Sequence, residues 1–247
     1  MKKFDKCLLM YGDCFKKMKE IPDHSVDLIL TDPPYNLSQY STGNIKFDWR
    51  SDINNDVAEW DKIPLEPKDL LKEFKRIISP NGNIFIFCSY NLIGEYHKYF
   101  DPEFDTFQFL VWHKTNPVPN FRKSSFLNSC ELIVCCWNKG HIWNFTKQNE
   151  MHNFIESPIC MGGERIKNKD GNYLHPTQKP VKILKKIIQI ASNENSIVLD
   201  CFNGVGSTGD AALSLKRKYI GIEIDPNYYA ASIERLKKYQ NTEEKRG

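Results

Sequence analysis

The chain has 247 residues, 40% hydrophobic and 26% charged, with a formal charge of +3, a globular composition long enough to bury a core as one large domain or two small ones. No apolar run reaches the roughly 20 residues of a membrane helix, and the short apolar stretch after the N-terminal lysines predicts no signal peptide, so a cytoplasmic protein is expected. Eight scattered cysteines without a CxxC pair predict reduced thiols rather than disulfides or a zinc site.

In chain order, "KCLLMYG" reads as a short strand, "DCFKKMKEI" as a helix and "SVDLILT" as a buried strand ending at Asp32. A polar stretch from Asn36 to Pro67 follows, with Trp49 and Trp60 as apolar islands; a connection this long is usually functional or mobile. "LEPKDLLKEFKRII" predicts a helix with Pro67 in its first turn, stopped by "SPNG". Next come a strand "NIFIFCS", a helix "YNLIGEYHKYF" and strands "FDTFQFLVWHKT" and "ELIVCCW". Residues 138–174 lack periodicity. The C-terminal part alternates again: helix "KPVKILKKIIQIAS", strand "SIVLD", helix "STGDAALSLK", strand "KYIGIEID" and helix "NYYAASIERLKKYQ", before a charged tail.

Strands alternating with helices predict an α/β fold with a mostly parallel sheet, doubly wound with helices on both faces. Residues 124–174 fit the alternation worst and are expected to form a small insertion into a domain built from 1–123 and 175–247. From Lys114 to Lys186 there are 12 Lys and Arg against 5 Asp and Glu. A basic central third in an otherwise acidic chain suits a polyanion held on one face; a solvated basic surface is the other reading.

Two turns carry chemistry. "DCFNGVGSTG" follows a strand ending at Asp200 and opens a helix, with Gly204 and Gly206 letting the backbone approach a ligand at the carboxyl edge of the sheet. Glu223, ending the next strand, can accept from ribose hydroxyls. The run G-V-G-S-T-G also satisfies a dinucleotide fingerprint, and a tight turn with packing glycines is the plain structural reading. The position near the C-terminus and the carboxylate before the turn favour a cationic, phosphate-free cofactor such as S-adenosylmethionine.

The second turn is Asp32-Pro33-Pro34-Tyr35. The prolines fix φ and offer only carbonyl acceptors. The Asp32 carboxylate and the Pro33 carbonyl can accept both hydrogens of one exocyclic amino group while Tyr35 stacks on the ring that carries it. This aims the nitrogen lone pair at a methyl donor, which is catalysis by positioning and electrostatics. A base within a duplex would have to be flipped out to reach such a turn. Taken alone, a proline-stiffened strand end remains the other reading.

Together, "TDPPYN" upstream of "HPTQKP" and "DCFNGVGSTG" resembles the β class of DNA amino-methyltransferases, and the resemblance covers nearly the whole chain. It implies a Rossmann-like fold, S-adenosylmethionine as methyl donor and double-stranded DNA as substrate. It also places 124–174 as the target-recognition region. The cofactor would be held by Asp13, Asp32, Thr177, Lys179, Pro180, Asp200, Phe202, Asn203, Gly204, Gly206, Ser207, Thr208 and Glu223. Asn36, Arg122 and Lys123 would contact DNA. D-P-P-Y leans towards adenine N6 and S-P-P-Y towards cytosine N4, and cytosine C5 chemistry lacks its Pro-Cys dipeptide here. Cys201, Asn203 and Val205 depart from the commoner residues of the turn, which predicts altered packing with the glycines intact.

A short recognition region raises the expectation of a homodimer, and a companion restriction endonuclease is a further expected partner. The rival readings are a cytosine-N4 enzyme, a protein-glutamine methyltransferase, an idle specificity partner that holds DNA, and a nicotinamide oxidoreductase. The six histidines lack metal-ligand spacing, so no metal is expected.

Overall fold

The computed structural model describes residues 1–4, 6–35, 65–120 and 123–240. The strands are β1 (Lys2–Phe4), β2 (Cys7–Tyr11), β3 (Val26–Thr31), β4 (Ile78–Cys88), β5 (Thr106–Lys114), β6 (Cys130–Trp137), β7 (Phe154–Ser157), β8 (Ile197–Asp200) and β9 (Lys218–Glu223). The helices are α1 (Cys14–Met18), α2 (Pro67–Ile77), α3 (Ile93–Phe100), α4 (Val181–Ala191), α5 (Ser207–Ser214) and α6 (Pro226–Leu236).

All nine strands form one sheet in the order β1-β2-β9-β8-β3-β4-β6-β5-β7. The run from β2 to β4 is parallel, while β6 is antiparallel to both β4 and β5. Along the central strands, side chains alternate between two cores. Leu28, Leu30, Phe85 and Phe87 pack with Ile183, Ile187 and Ala211, from α4 and α5, on one face. Ile29, Ile84 and Ile86 pack with Met18, Phe74 and Phe100, from α1, α2 and α3, on the other. This period-2 partition onto helices on both faces makes the sheet doubly wound.

The chain leaves β3 through α2 to β4 on one side, and leaves β8 through α5 to β9 on the opposite side. The β3–β8 pair is therefore the point where the winding reverses, and the crevice beyond its carboxyl ends is where open α/β sheets take ligands. Residues 31–35 and 200–206, far apart in sequence, meet there.

Three expectations need correction. Residues 124–174 are not set apart from the sheet: β6 lies between β4 and β5, and β7, in the stretch without periodicity, pairs in parallel with β5 through Val111↔Phe154 to Lys114↔Ser157. Ser79, Pro80, Asn81 and Gly82, read as a helix stop, belong to β4, whose pairing with β3 shifts register between Val26 and Leu28 to absorb them. The helix expected over 13–21 is the five-residue α1, capped by Asp13.

Candidate active site

Thr31 ends β3, and the two prolines carry the backbone directly to Tyr35. Both oxygens of the Asp32 carboxylate have donors. The Tyr35 hydroxyl donates to Oδ1 at 2.7 Å, and the Lys179 ammonium sits 2.5 Å from Oδ2. Lys179, from the segment before α4, is only 7% exposed, and a lysine so buried has to be paired. Its second partner is Glu131 of β6, 3.5 Å away, whose other oxygen receives Lys114 of β5 at 2.8 Å. Tyr35 also reaches Glu131 at 3.3 Å. Two carboxylates and two ammonium groups thus form one cluster against Phe87 and the Tyr35 ring.

Burial pushes the Asp32 carboxyl above its ordinary value, and Lys179 opposes that rise. For Glu131 burial also acts upward, but Lys179 and Lys114 outweigh it and hold the group below its ordinary value. Burial disfavours the Lys179 ammonium, and Asp32 and Glu131 outweigh it and raise the pKa above its ordinary value.

The second wall is the turn after β8. Asp200 is buried, and its Oδ1 accepts from the Thr31 hydroxyl at 2.8 Å and the Phe202 amide at 3.1 Å. Burial raises its pKa to about 6, against the pull of the Thr208 and Thr31 hydroxyls. Gly204 and Gly206 have φ of +52° and +80°, left-handed values that favour glycine. A Cβ on Gly204 would stand 3.2 Å from His175 Nε2.

Asn203 staples the turn: its amide donates to the Ile222 carbonyl, and its Oδ1 accepts from the Tyr219 hydroxyl at 2.8 Å. Glu223, at the end of β9, accepts from the amides of Gly204 and Asp225 at 2.6 and 2.8 Å. Burial pushes its carboxyl up to about 7.

The third wall is 175–180. Gln178 fastens it by donating to the Glu164 carbonyl and accepting from the Ile166 amide. Arg165 donates to the carbonyls of His175 and Pro176. His175 packs on Tyr228, and burial, with Lys179 and Arg165, lowers its pKa to about 4.

The walls flank a narrow cleft open to solvent. Asp32, Thr177, Lys179, Asp200, Phe202, Asn203, Gly204, Ser207 and Thr208 line it, as do Thr31, Phe87 and His175. Glu223, Gly206 and Pro180 stand behind the lining, the last as N-cap of α4. Asp13 caps α1 through the Lys16 amide, next to Gly12, whose amide bonds the Glu223 carbonyl. Lys123 is exposed, with φ +51° and its amide on Asn120, away from the cleft lining. Asn36, Arg122, Trp49 and Trp60 lie outside the described residues. Among the described residues no group of three His, Cys, Asp or Glu could hold a metal ion.

Sequence reading missed Glu131 and Lys114. A glutamate opening an apolar strand was their only signal. A cleft lined by the carboxylates of Asp32 and Asp200, with Glu223 behind them, each raised by burial, suits a cation and hydroxyl donors and would repel a pyrophosphate. Those donor and acceptor types fit S-adenosylmethionine, with its sulfonium and ribose.

The sequence pattern of a DNA methylase family, the N6/N4 methyltransferases, matches residues 26–234. The chain is 34% identical over 250 residues to the Type II methyltransferase M.HinfI of Haemophilus influenzae, covering 93% of this chain and 68% of the relative. It is 31% identical to the Type II methyltransferase M2.LlaDCHI of Lactococcus lactis subsp. cremoris, covering 95% and 90%. Among solved structures, the M1.HpyAVI–SAM complex superposes with a TM-score of 0.65 at 29% identity, over 93% of this chain and all of that one. The cytosine-N4-specific PvuII DNA methyltransferase superposes at 0.66 with 17% identity, over 97% and 93%, a likeness of fold.

Proposed function

This chain belongs to the N6/N4 DNA methylase family, and from that premise we propose that it transfers a methyl group from S-adenosylmethionine to adenine N6 of a base flipped out of double-stranded DNA. The observation that carries the proposal is the placement of Asp32 and Tyr35 beside the Asp200 turn, joined by the Thr31–Asp200 bond at the winding reversal. Aspartate rather than serine at the first position of the turn is the ground for adenine over cytosine N4.

The cleft residues divide the work. Asp200, Phe202, Asn203, Gly204, Gly206, Ser207 and Thr208 form the cofactor cradle, with Glu223 and Asp13 at its ribose and adenine end and Thr177 and Pro180 on the closing segment. S-adenosylmethionine held by these residues would supply an electrophilic methyl group and leave as the thioether, the displaced amino proton passing to water. Asp32 and the Pro33 carbonyl take the two amino hydrogens, and Pro33 and Pro34 keep those acceptors from turning away. Tyr35 supplies a stacking face, a contact worth about 1–3 kcal/mol per base. The charge needed in the reaction is preorganised, so the turn does little beyond positioning.

Asn36, Arg122 and Lys123 are assigned to DNA, with exposed basic residues of 114–186 on its phosphates. Parts of 124–174 outside β6 and β7 are assigned to reading the site. A homodimer, a partner endonuclease and a cytoplasmic setting complete the proposal; the named relatives are Type II methyltransferases.

Single-molecule sequencing of DNA from a methylation-free host expressing the chain, beside one expressing Asp32→Ala, tests the reading. N6-methyladenine in one short motif, absent with Asp32→Ala, is the expected result. N4-methylcytosine in that motif would overturn the choice of base and keep the mechanism.

A further inference from the structure

The proposed reaction needs Asp32 to accept from a target amino group while the base stacks on Tyr35. Each carboxylate oxygen can take a second donor, but the Lys179 ammonium lies over the Tyr35 ring, 5.4 Å from its centroid, and 2.5 Å from Asp32 Oδ2, in the space the base would enter. Tyr35 is tied to the same turn, three residues away. Lys179 comes from a separate segment and has a second carboxylate waiting, Glu131, at 3.5 Å.

We propose that the Lys179 ammonium is a placeholder for the target amino group, and that Glu131 is the positioning residue that receives it when the base enters. The inference rests on the functional reading above. In the resting cleft, Nζ occupies the place on Asp32 Oδ2 that the amino nitrogen needs, 2.5 Å from the oxygen. On entry of the base, Nζ moves from Asp32 to Glu131, a shift of an ångström or so. No charge crosses the cleft boundary, and no carboxylate is stranded without a donor. An uncompensated buried charge is the most expensive outcome in a site like this one, and the exchange avoids it in both states. Lys114, fixed on the other oxygen of Glu131, keeps the receiving carboxylate ionised while Lys179 is away. Among the described residues, the groups facing Asp32 are Lys179, Glu131 and Tyr35, with Lys114 behind Glu131 and Asp200, Cys88 and Tyr96 further off.

A double-mutant cycle separates this role from a structural one. The readout is tritium transferred from labelled S-adenosylmethionine to genomic DNA of a methylation-free host, at saturating cofactor, with folding checked by the thermal shift that the cofactor causes. Glu131→Gln removes the receiving charge, so Lys179 stays on Asp32, and the maximal rate is expected to fall about tenfold or more, with cofactor binding unchanged. Lys179→Met alone leaves two carboxylates facing one ammonium. The acidic limb of its rate profile is expected to move up by about one pH unit or more, as a nearby charge of this kind is lost. The double variant retains one carboxylate and one ammonium and has no placeholder to displace. It is expected to be faster than Glu131→Gln alone.

A double variant as slow as, or slower than, Glu131→Gln would overturn the inference and leave the cluster structural. Lys179→Leu repeats the cycle if the Met variant does not fold. If neither Lys179 variant binds cofactor, Lys179 belongs to the cofactor cradle and the placeholder role is wrong. Absence of label transfer by the unaltered chain would instead sink the functional reading, and this inference with it.

Discussion

The Thr31 hydroxyl donates to Asp200 Oδ1 at 2.8 Å, tying the last residue of β3 to the last residue of β8 across the point where the sheet reverses its winding. The bond joins the 32–35 turn to the 200–206 turn through one buried hydrogen, and the two turns are expected to be coupled. Thr31→Val keeps the shape and removes the donor from a buried carboxylate, a loss of about 1–3 kcal/mol. Its expected results are a lower unfolding temperature and S-adenosylmethionine binding weakened several-fold in calorimetry. Thr31→Ser, which retains the hydroxyl, is expected to behave as the native chain. Equal binding by the Val and Ser variants would show that the bond does not couple the turns.

Cofactor affinity is expected to rise with pH. Burial raises Asp200 to about 6 and Glu223 to about 7, despite amide donors on both; unfolded carboxyls titrate at about 4. Between those values the folded apoprotein holds more protons than the unfolded chain. The stability these two groups contribute is therefore full below about pH 4 and lost as pH rises through about 6 and 7. Ionised carboxylates are the better acceptors for the ribose hydroxyls assigned to Glu223, so the cofactor has the opposite dependence. Melting curves from pH 5 to 8.5 with and without S-adenosylmethionine should show the cofactor-induced increment growing with pH. Glu223→Gln should flatten most of that growth above pH 6. An increment constant across the range would place the ribose elsewhere.

The two turns at the ends of β3 and β8 were legible in the sequence because each is local: an aspartate ending an apolar run, then prolines that fix φ or glycines that allow positive φ. The doubly wound architecture was legible for the same reason, since period-2 and period-3.6 patterns are short-range. The charge cluster was not. Asp32, Lys114, Glu131 and Lys179 stand on four separate segments, and only the strand order β4-β6-β5 brings Glu131 beside Lys114 and against the end of β3. Strand β7 escaped because four residues are too few for alternation to register against the loop around it. His175, one of six histidines without metal-ligand spacing, packs on Tyr228, and Gly204 lets it do so as a wall of the cleft.

Gly209, the third glycine of the G-V-G-S-T-G run, lies in α5 and has a packing role. A Cβ on Gly209 would stand 2.6 Å from Tyr219 Cε1 and 2.7 Å from Leu236 Cδ1. Tyr219 is the residue whose hydroxyl staples Asn203. Gly209→Ala is therefore expected to cost about 1–3 kcal/mol by overpacking, read in urea denaturation, and to loosen the turn enough to weaken cofactor binding. Gly163→Ala, with nothing within 4 Å of the added carbon, should stay within about 0.5 kcal/mol of the native chain. A Gly209→Ala variant as stable as Gly163→Ala would mean that α5 and α6 can part without cost.

The role proposed for Tyr35 has two separable parts, a stacking face for the base and the hydroxyl that donates to Asp32 Oδ1 at 2.7 Å. Tyr35→Phe keeps the face and removes one donor from a carboxylate that still has Lys179, so methyl transfer to DNA should remain within about tenfold of native. Tyr35→Ala removes the face as well. Loss of about 1–3 kcal/mol of base stacking predicts a fall of roughly 5- to 150-fold in kcat/KM for DNA, with cofactor binding largely retained. A Phe variant as impaired as the Ala variant would assign the residue's contribution to the hydroxyl and its hold on Asp32, and would remove stacking from the mechanism.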